Sequence, residues 1–276
     1  MAAELSGTRP VAGRATTDIE LDPRGEVLWV TLDRPERLNA ITPRMVRELY
    51  DTFDGLARDP SVRVVVLRGR GRGFCAGLDI RFAGQMTGGD VGLPDVITAM
   101  RACPQPIIAL VDGPACGGGF AFALAADIRI AGPDAAMNVA FVRLGVSGCE
   151  MGVSYFLPRI VGLSVAGELM YTGRFINAER ALQTGLVSAV CGADELEQTA
   201  TDLAGEMLRV APLALRKTKQ TLGRAIEVTD LATVMAMEEA AQMECMRGGD
   251  FEEGVRAFLE GREPRFGLGH AAGPEA

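Results

Sequence analysis

The chain has 276 residues, of which 48% are apolar and 23% charged, enough for one large domain or one domain with an appendage. Its formal net charge of −8 argues against binding to nucleic acid or to an anionic membrane surface. We find neither an apolar run that would span a bilayer nor the pattern of a signal peptide. Six scattered cysteines form no Cys-x-x-Cys pair, so we expect free thiols and a cytoplasmic protein.

The single histidine narrows the possible chemistry. His270 lies in a Gly/Ala-rich tail, and we expect residues 1–17 and 267–276 to be disordered. A Ser-His-Asp or Cys-His catalytic site needs a histidine in the folded core, and a multi-histidine metal site needs several. We therefore expect no metal site. Carboxylates are the leading bases for any proton chemistry.

The first predicted elements are a β-hairpin, a helix and a buried strand. An alternating segment, a turn and an apolar segment between residues 17 and 32 predict the hairpin. Apolar residues of 43–59 recur at helical spacing, with Pro43 suited to the first turn and Thr42 to the N-cap. The continuous apolar run at 63–69 is typical of a strand buried on both faces.

Strands and helices then alternate before a helical end. A second buried strand is predicted at 106–113, a helix entered through glycines at 117–127 and another strand directly after it. From about residue 194 the pattern is helical. The sequence therefore predicts an α/β fold with a core over 18–193 and a helical C-terminal region over 194–266.

Two glycine-rich turns follow the two buried strands. The turn at 71–80 formally fits a dinucleotide fingerprint, but the stretch after it is broken by glycines and the acid at the required distance, Asp90, falls in a Gly/Pro loop. The turn at 115–127 fits either close packing of a helix on a sheet or close approach of backbone to a ligand. Side by side, the two turns would offer backbone N–H groups as a two-donor oxyanion hole.

Segments 34–42, 71–80 and 114–131, followed by the helix-rich end, resemble the crotonase, or enoyl-CoA hydratase/isomerase, superfamily. The resemblance extends from about residue 18 to residue 266. It implies a spiral of repeated ββα turns with a helical trimerisation region, assembled as a homotrimer or a dimer of trimers. It also implies an acyl-coenzyme A thioester as substrate, with coenzyme A part of that substrate and no separate cofactor.

The resemblance further implies which residues form the site. The oxyanion donors would be the backbone N–H groups of Ala76 and Gly118. Arg37 and Lys219 are candidates for contacts with the coenzyme A phosphates, the alternative being ordinary solvated charges. Asp79 and Asp127 match family positions that look structural. The remaining substrate-binding candidates are Ala40, Cys75, Asp79, Ile80, Gly117, Phe141, Met151 and Tyr155, and the last three, with the loop at 83–97, are expected to line the acyl pocket.

The chain departs from typical hydratases at both of their catalytic acids. Ala121 and Phe141 occupy those positions, and neither side chain can carry a proton. Glu150 remains, in a loop where some isomerase, epoxide-isomerase and dehalogenase branches of the family carry an acid. The alternative for Glu150 is an exposed acid favoured by a helix N-terminus. Beside an apolar acyl pocket, burial would raise the pKa of Glu150 toward neutral pH.

One base combined with an oxyanion hole suits transfer of a proton from C2 to C4, which shifts a double bond without water. The sequence therefore favours isomerisation by Glu150. Three alternatives stay open: hydration by Glu150 alone or with a recruited second acid, nucleophilic attack by Glu150 on an acyl or aryl group, and binding of acyl-CoA without turnover.

Overall fold

The computed structural model describes residues 17–85 and 90–267. Its main sheet has six strands in the order β1-β2-β3-β4-β6-β9, and only the β1–β2 hairpin is antiparallel. These strands are β1 (Ile19–Arg24), β2 (Val27–Leu32), β3 (Val64–Gly69), β4 (Ile107–Val111), β6 (Ile128–Ala131) and β9 (Ala189–Val190). The predicted hairpin and buried strands are confirmed, because continuous apolar segments fill a parallel sheet that is covered on both faces.

A second, smaller sheet lies in the loops. Its strands have the order β5-β7-β8, with bounds β5 (Pro114–Cys116), β7 (Ala136–Asn138) and β8 (Ile176–Asn177). None of these strands was predicted. Two or three residues are too few to show a period, and their partners are distant in sequence.

Helices cover the main sheet and form the C-terminal end of the described chain. Their bounds are α1 (Pro43–Leu56), α2 (Leu93–Ala102), α3 (Gly118–Ala125), α4 (Val153–Thr172), α5 (Ala178–Gln183), α6 (Leu196–Leu208), α7 (Pro212–Ala225), α8 (Leu231–Arg247) and α9 (Asp250–Glu260). Short 3₁₀ turns span Pro35–Arg37, Ile80–Gln85 and Ala140–Leu144. This alternation of strands and helices confirms the predicted α/β class.

Helix α1 shows how the sequence sets the core. The Thr42 side chain accepts a hydrogen bond from the Met45 N–H (3.0 Å) and caps the helix. The predicted apolar stripe is buried at Leu49 and Phe53, each 1% exposed. Each such side chain contributes about 1.5–3 kcal/mol through burial.

Helix α6 packs on the opposite face of the sheet from α1. Its buried residues Leu196, Ala200 and Ala204 form one apolar cluster with Trp29 and with side chains of β3, β4 and β6. The helical region predicted from residue 194 therefore begins with a helix that belongs to the packing of the sheet itself.

Helix α4 has the length and apolar composition of a helix that could cross a membrane, which the sequence analysis did not expect. Its backbone is interrupted at Gly162, where φ is 77° and ψ is 161°. Each half is about 15 Å long, roughly half of a bilayer's apolar thickness. Val153, Leu157 and Leu169 are buried in the main core, so α4 is packed as two half-helices.

The last helices carry large apolar side chains on their surface. Phe258 and Leu259 are 86% and 78% exposed in the single chain. A trimer interface for this region stays a prediction. The predicted tails and His270 lie outside the described residues, apart from Thr17 and Gly267.

Candidate active site

The two glycine-rich turns lie side by side. Cys75 and Ala115 form a parallel bridge, in which the Cys75 N–H donates to the Pro114 carbonyl (3.0 Å) and the Cys116 N–H donates to the Cys75 carbonyl (2.9 Å). The sequence expectation of two adjacent turns after β3 and β4 is thus met.

Two glycines with positive φ allow this approach. Gly77 has a φ of 89°, and a Cβ built on it would lie 2.6 Å from the Cys116 carbonyl oxygen and 3.6 Å from the Gly118 nitrogen. Gly117 has a φ of 50° and precedes the first residue of α3. Any side chain at Gly77 would push the two turns apart.

The prediction of Ala76 as an amide donor is wrong. The Ala76 N–H donates to the Leu38 carbonyl (2.9 Å), so it is not available to a ligand. In contrast, the N–H groups of Leu78 and Gly118 have no acceptor within the described part of the chain. Gly118 is also the first residue of α3, where the helix dipole favours negative charge.

The two free amides share one local feature, of which the sequence shows only the glycine. In each turn the free amide directly follows a glycine with positive φ, Gly77 or Gly117. Such a glycine turns the peptide plane, so that the next N–H leaves the hydrogen bonds of the preceding strand.

Asn39 holds the first turn in place, a function that the sequence analysis did not assign. Its side-chain nitrogen donates to the Arg70 carbonyl (3.0 Å) and the Gly73 carbonyl (2.7 Å). Its side-chain oxygen accepts from the Arg34 N–H (2.9 Å). Asn39 is fully buried and has a φ of 57°, a conformation that asparagine tolerates better than most residues.

Glu150 directly precedes another turn with positive φ, separate from the two glycine-rich turns. Its side chain is exposed, so the expectation of a buried glutamate is wrong. The next two residues, Met151 and Gly152, have φ values of 51° and 77° and lead into α4. Met151 points back to the glycine turn: its sulphur lies 3.3 Å from the position that a Cβ would take on Gly118.

The two positions that carry acids in typical hydratases hold apolar side chains beside the same turn. Ala121 is fully buried in α3. The Phe141 ring lies 3.4 Å from the position that a Cβ would take on Gly117. Phe141 therefore packs on the glycine turn, and neither residue supplies a proton.

Asp79 and Cys75 support the first turn. The Asp79 carboxylate is buried between the guanidinium groups of Arg81 (2.6 Å) and Arg34 (3.2 Å), and the hydrogen bonds from Arg81 hold its pKa well below the usual range. Burial raises the pKa of the Cys75 thiol to about 12. Neither side chain is free for acid–base chemistry with a substrate, and Asp79 has the structural character predicted for it.

Three other predicted binding residues lie around this turn. Ile80 is 74% exposed, Arg37 is exposed in its 3₁₀ turn, and Ala40 is half-buried, with its carbonyl accepting a hydrogen bond from Arg34. Their contact with substrate stays a prediction.

The prediction that Lys219 contacts a coenzyme A phosphate is wrong. Lys219 is only 7% exposed, and its ammonium group pairs with Asp127 (2.9 Å). It also donates to the Gln105 and Met100 carbonyls (2.8 and 3.2 Å). Asp127 further accepts from Arg101 (2.8 Å), as suits its predicted structural position.

A cavity of about 960 Å³ begins at Met151 and Gly152 and lies between α2, α4 and α7. Tyr155 lines it, as do Pro94 and Ile97 from the predicted 83–97 segment, but Phe141 does not. The Tyr155 hydroxyl donates a hydrogen bond to Glu227 (3.1 Å). Desolvation is the main cause that raises the pKa of Tyr155, and the hydrogen bond to Glu227 raises it further. Residues 86–89 of the predicted pocket loop lie outside the described residues.

Comparison with known proteins identifies the family of this arrangement. The family model for enoyl-CoA hydratase/isomerase matches residues 23–268. The chain belongs to the enoyl-CoA hydratase/isomerase family. The predicted crotonase-like fold is confirmed, and the chain is an acyl-CoA enzyme of this family.

Individual relatives cover nearly the whole chain. The probable enoyl-CoA hydratase echA12 of Mycobacterium leprae is 39% identical over 90% of each chain. The mitochondrial methylglutaconyl-CoA hydratase of Mus musculus is 34% identical over 90% of this chain and 81% of its own. A solved enoyl-CoA hydratase from Mycobacterium smegmatis aligns with a TM-score of 0.83 at 31% identity, over 91% of this chain and 99% of the solved chain.

Proposed function

We propose that this enzyme shifts a double bond within an acyl-CoA thioester, with Glu150 as its single base. The observation that carries the proposal is the placement of Glu150 one residue before Met151, which contacts the Gly118 turn, while Ala121 and Phe141 occupy the usual acid positions. A two-carboxylate hydration mechanism lacks both of its acids here.

The chemistry follows from the free amides. The thioester oxygen accepts hydrogen bonds from the Leu78 and Gly118 N–H groups, which stabilise an enolate. Glu150 removes a proton from C2 and returns it to C4, so the double bond moves from the 3,4 to the 2,3 position. No water is consumed, and the carboxylate is regenerated. Substrate that covers Glu150 would also withdraw it from water and favour proton transfer.

The test follows the absorbance of the conjugated thioester with a 3-enoyl-CoA substrate. Wild-type protein should raise it, and Glu150→Gln should lower the rate by roughly 10²–10⁴-fold, the usual effect of losing a general base. Glu206→Gln is the matched control, because Glu206 is an exposed glutamate on α6, away from the glycine turns. An active Glu150→Gln enzyme would refute the assignment.

Hydration is the second candidate, because the curated relatives of Mycobacterium leprae and Mus musculus carry hydratase names. With a 2-enoyl-CoA substrate, hydration would lower the same absorbance. If that decrease occurs and no isomerisation is seen, the missing acids at Ala121 and Phe141 have been replaced by others.

A further inference from the structure

The cavity beside Met151 has an apolar wall and a basic wall. Ile97, Met151 and Phe156 contribute large apolar side chains from α2 and α4. The facing wall is one side of α7, whose lining residues recur at helical spacing: Leu213, Arg216, Lys217, Gln220, Gly223 and Arg224. Arg101 reaches from α2 across to α7, where its guanidinium nitrogen lies 3.4 Å from a Cβ built on Gly223.

The basic charge of this cavity exceeds its acidic charge. Lys217 is paired with Glu244 (2.5 Å), and Arg101 and Lys219 share the single carboxylate of Asp127. Arg216 and Arg224 line the cavity, and neither has an ion-pair or side-chain hydrogen-bond partner among residues 17–85 and 90–267. Glu227, the remaining acid, is held by the Tyr155 hydroxyl.

This excess is unusual in a chain with a net charge of −8. A purely hydrocarbon acyl chain gains nothing from two unpaired guanidinium groups, whereas a carboxylate binds them through charge-assisted, bidentate hydrogen bonds. Arg216 and Arg224 are eight residues apart on one helix, about 12 Å along its axis, so acids of different length can reach one or the other.

The position of the cavity indicates which end of a substrate it receives. Met151 lines the cavity and also contacts the Gly118 turn, so the two spaces are neighbours. No described residue of 34–41 or 72–82, the segments that include Arg37, lines the cavity. The cavity therefore adjoins the turn that follows Glu150, through Met151 and Gly152, on the side where the acyl carbons are proposed to react.

We infer that the cavity binds the distal end of the acyl group and that this end carries a carboxylate. The substrate class is then the coenzyme A ester of a dicarboxylic acid, with Arg224 and Arg216 as its specificity-determining residues. This inference rests on the proposed function, because it requires the thioester to lie at Leu78 and Gly118.

Binding tests the inference without turnover. Isothermal titration of the full chain compares adipoyl-CoA, hexanoyl-CoA and coenzyme A, which share the same nucleotide and differ only in the acyl end. Adipoyl-CoA should bind about tenfold tighter than hexanoyl-CoA, the size expected for one charge-assisted contact. Arg224→Gln or Arg216→Gln should remove this preference, so that adipoyl-CoA binds no more tightly than hexanoyl-CoA.

The controls separate the possible failures. Arg58→Gln removes an exposed arginine on α1 that pairs with Asp54, and it should leave all three affinities unchanged. An equal loss of affinity for all three ligands in Arg224→Gln would mean that the cavity holds coenzyme A phosphates, and would overturn the inference. Equal affinity of wild type for adipoyl-CoA and hexanoyl-CoA would overturn it as well. Carboxylate preference without isomerisation would instead refute the proposed function alone.

Discussion

The two glycine-rich turns approach each other closely at Gly77. Replacing this glycine should therefore affect both the stability of the fold and the oxyanion hole. A Cβ at Gly77 would lie 2.6 Å from the Cys116 carbonyl oxygen, at a φ of 89°. The unfavourable φ costs about 1–2 kcal/mol for an alanine. The steric overlap adds about 1–3 kcal/mol, because the backbone of one turn must move. Gly77→Ala should therefore lower the free energy of unfolding by about 2–5 kcal/mol.

Gly25→Ala is the matched control. Gly25 has a φ of 62°, but nothing lies within 4 Å of its Cβ position, so only the conformational cost of about 1–2 kcal/mol applies. Urea unfolding midpoints should thus fall further for Gly77→Ala than for Gly25→Ala.

Activity gives the second measurement for this pair of variants. Gly77→Ala displaces the Leu78 N–H from Gly118, and losing one oxyanion donor lowers kcat by about 10²–10³-fold. Gly25→Ala should retain wild-type kcat in the conjugated-thioester assay. Equal midpoints for the two variants, or full activity in Gly77→Ala, would refute the reasoning that the turns meet here.

Two further predictions concern ion pairs. Lys219→Met leaves Asp127 with Arg101 as its remaining cation, so it should destabilise the fold by about 2–3 kcal/mol in urea unfolding; an unchanged midpoint would contradict the buried pair. Hydrogen bonds from Arg180 lower the pKa of Glu168 to about 2, below its ordinary 4.5. Its stabilising contribution is therefore present above pH 4.5 and lost as pH falls toward 2. The thermal midpoint of Glu168→Gln should fall less steeply with acid than that of wild type, and parallel curves would contradict the pairing.

The main sheet and its first helix were predictable because their patterns are long and local. The run at 63–69 and the stripe of α1 each show their period within one segment. Strands β5, β7 and β8 were missed, since pairs of two or three residues depend on segments far apart in sequence. Strand β5 nevertheless carries Ala115, which forms the bridge to Cys75 of the first turn.

The sequence predicted the region of the site, but it did not predict which backbone amide in the first turn is free. Gly118, Phe141 and Met151 gather where the sequence analysis expected a site, but the donor amide was misplaced by two residues. The error arose because a free N–H depends on the φ of Gly77, which no side-chain pattern records. Lys219 was misassigned for a similar reason: an amphipathic helix reveals a charge but not its distant partner, Asp127.

Backbone strain links these observations to function. Among residues 17–85 and 90–267, the non-glycine residues with positive φ are Leu38, Asn39 and Met151, and all three border the two turns. Each left-handed residue costs about 1–2 kcal/mol, so stability alone would favour glycine at these positions. Glycine at Met151 would lack the side chain that packs against Gly118 and lines the basic cavity. The strained residues thus lie where they set the backbone donors and the side chain that borders both Gly118 and the basic cavity, as expected if a single catalytic acid must be aimed by the backbone.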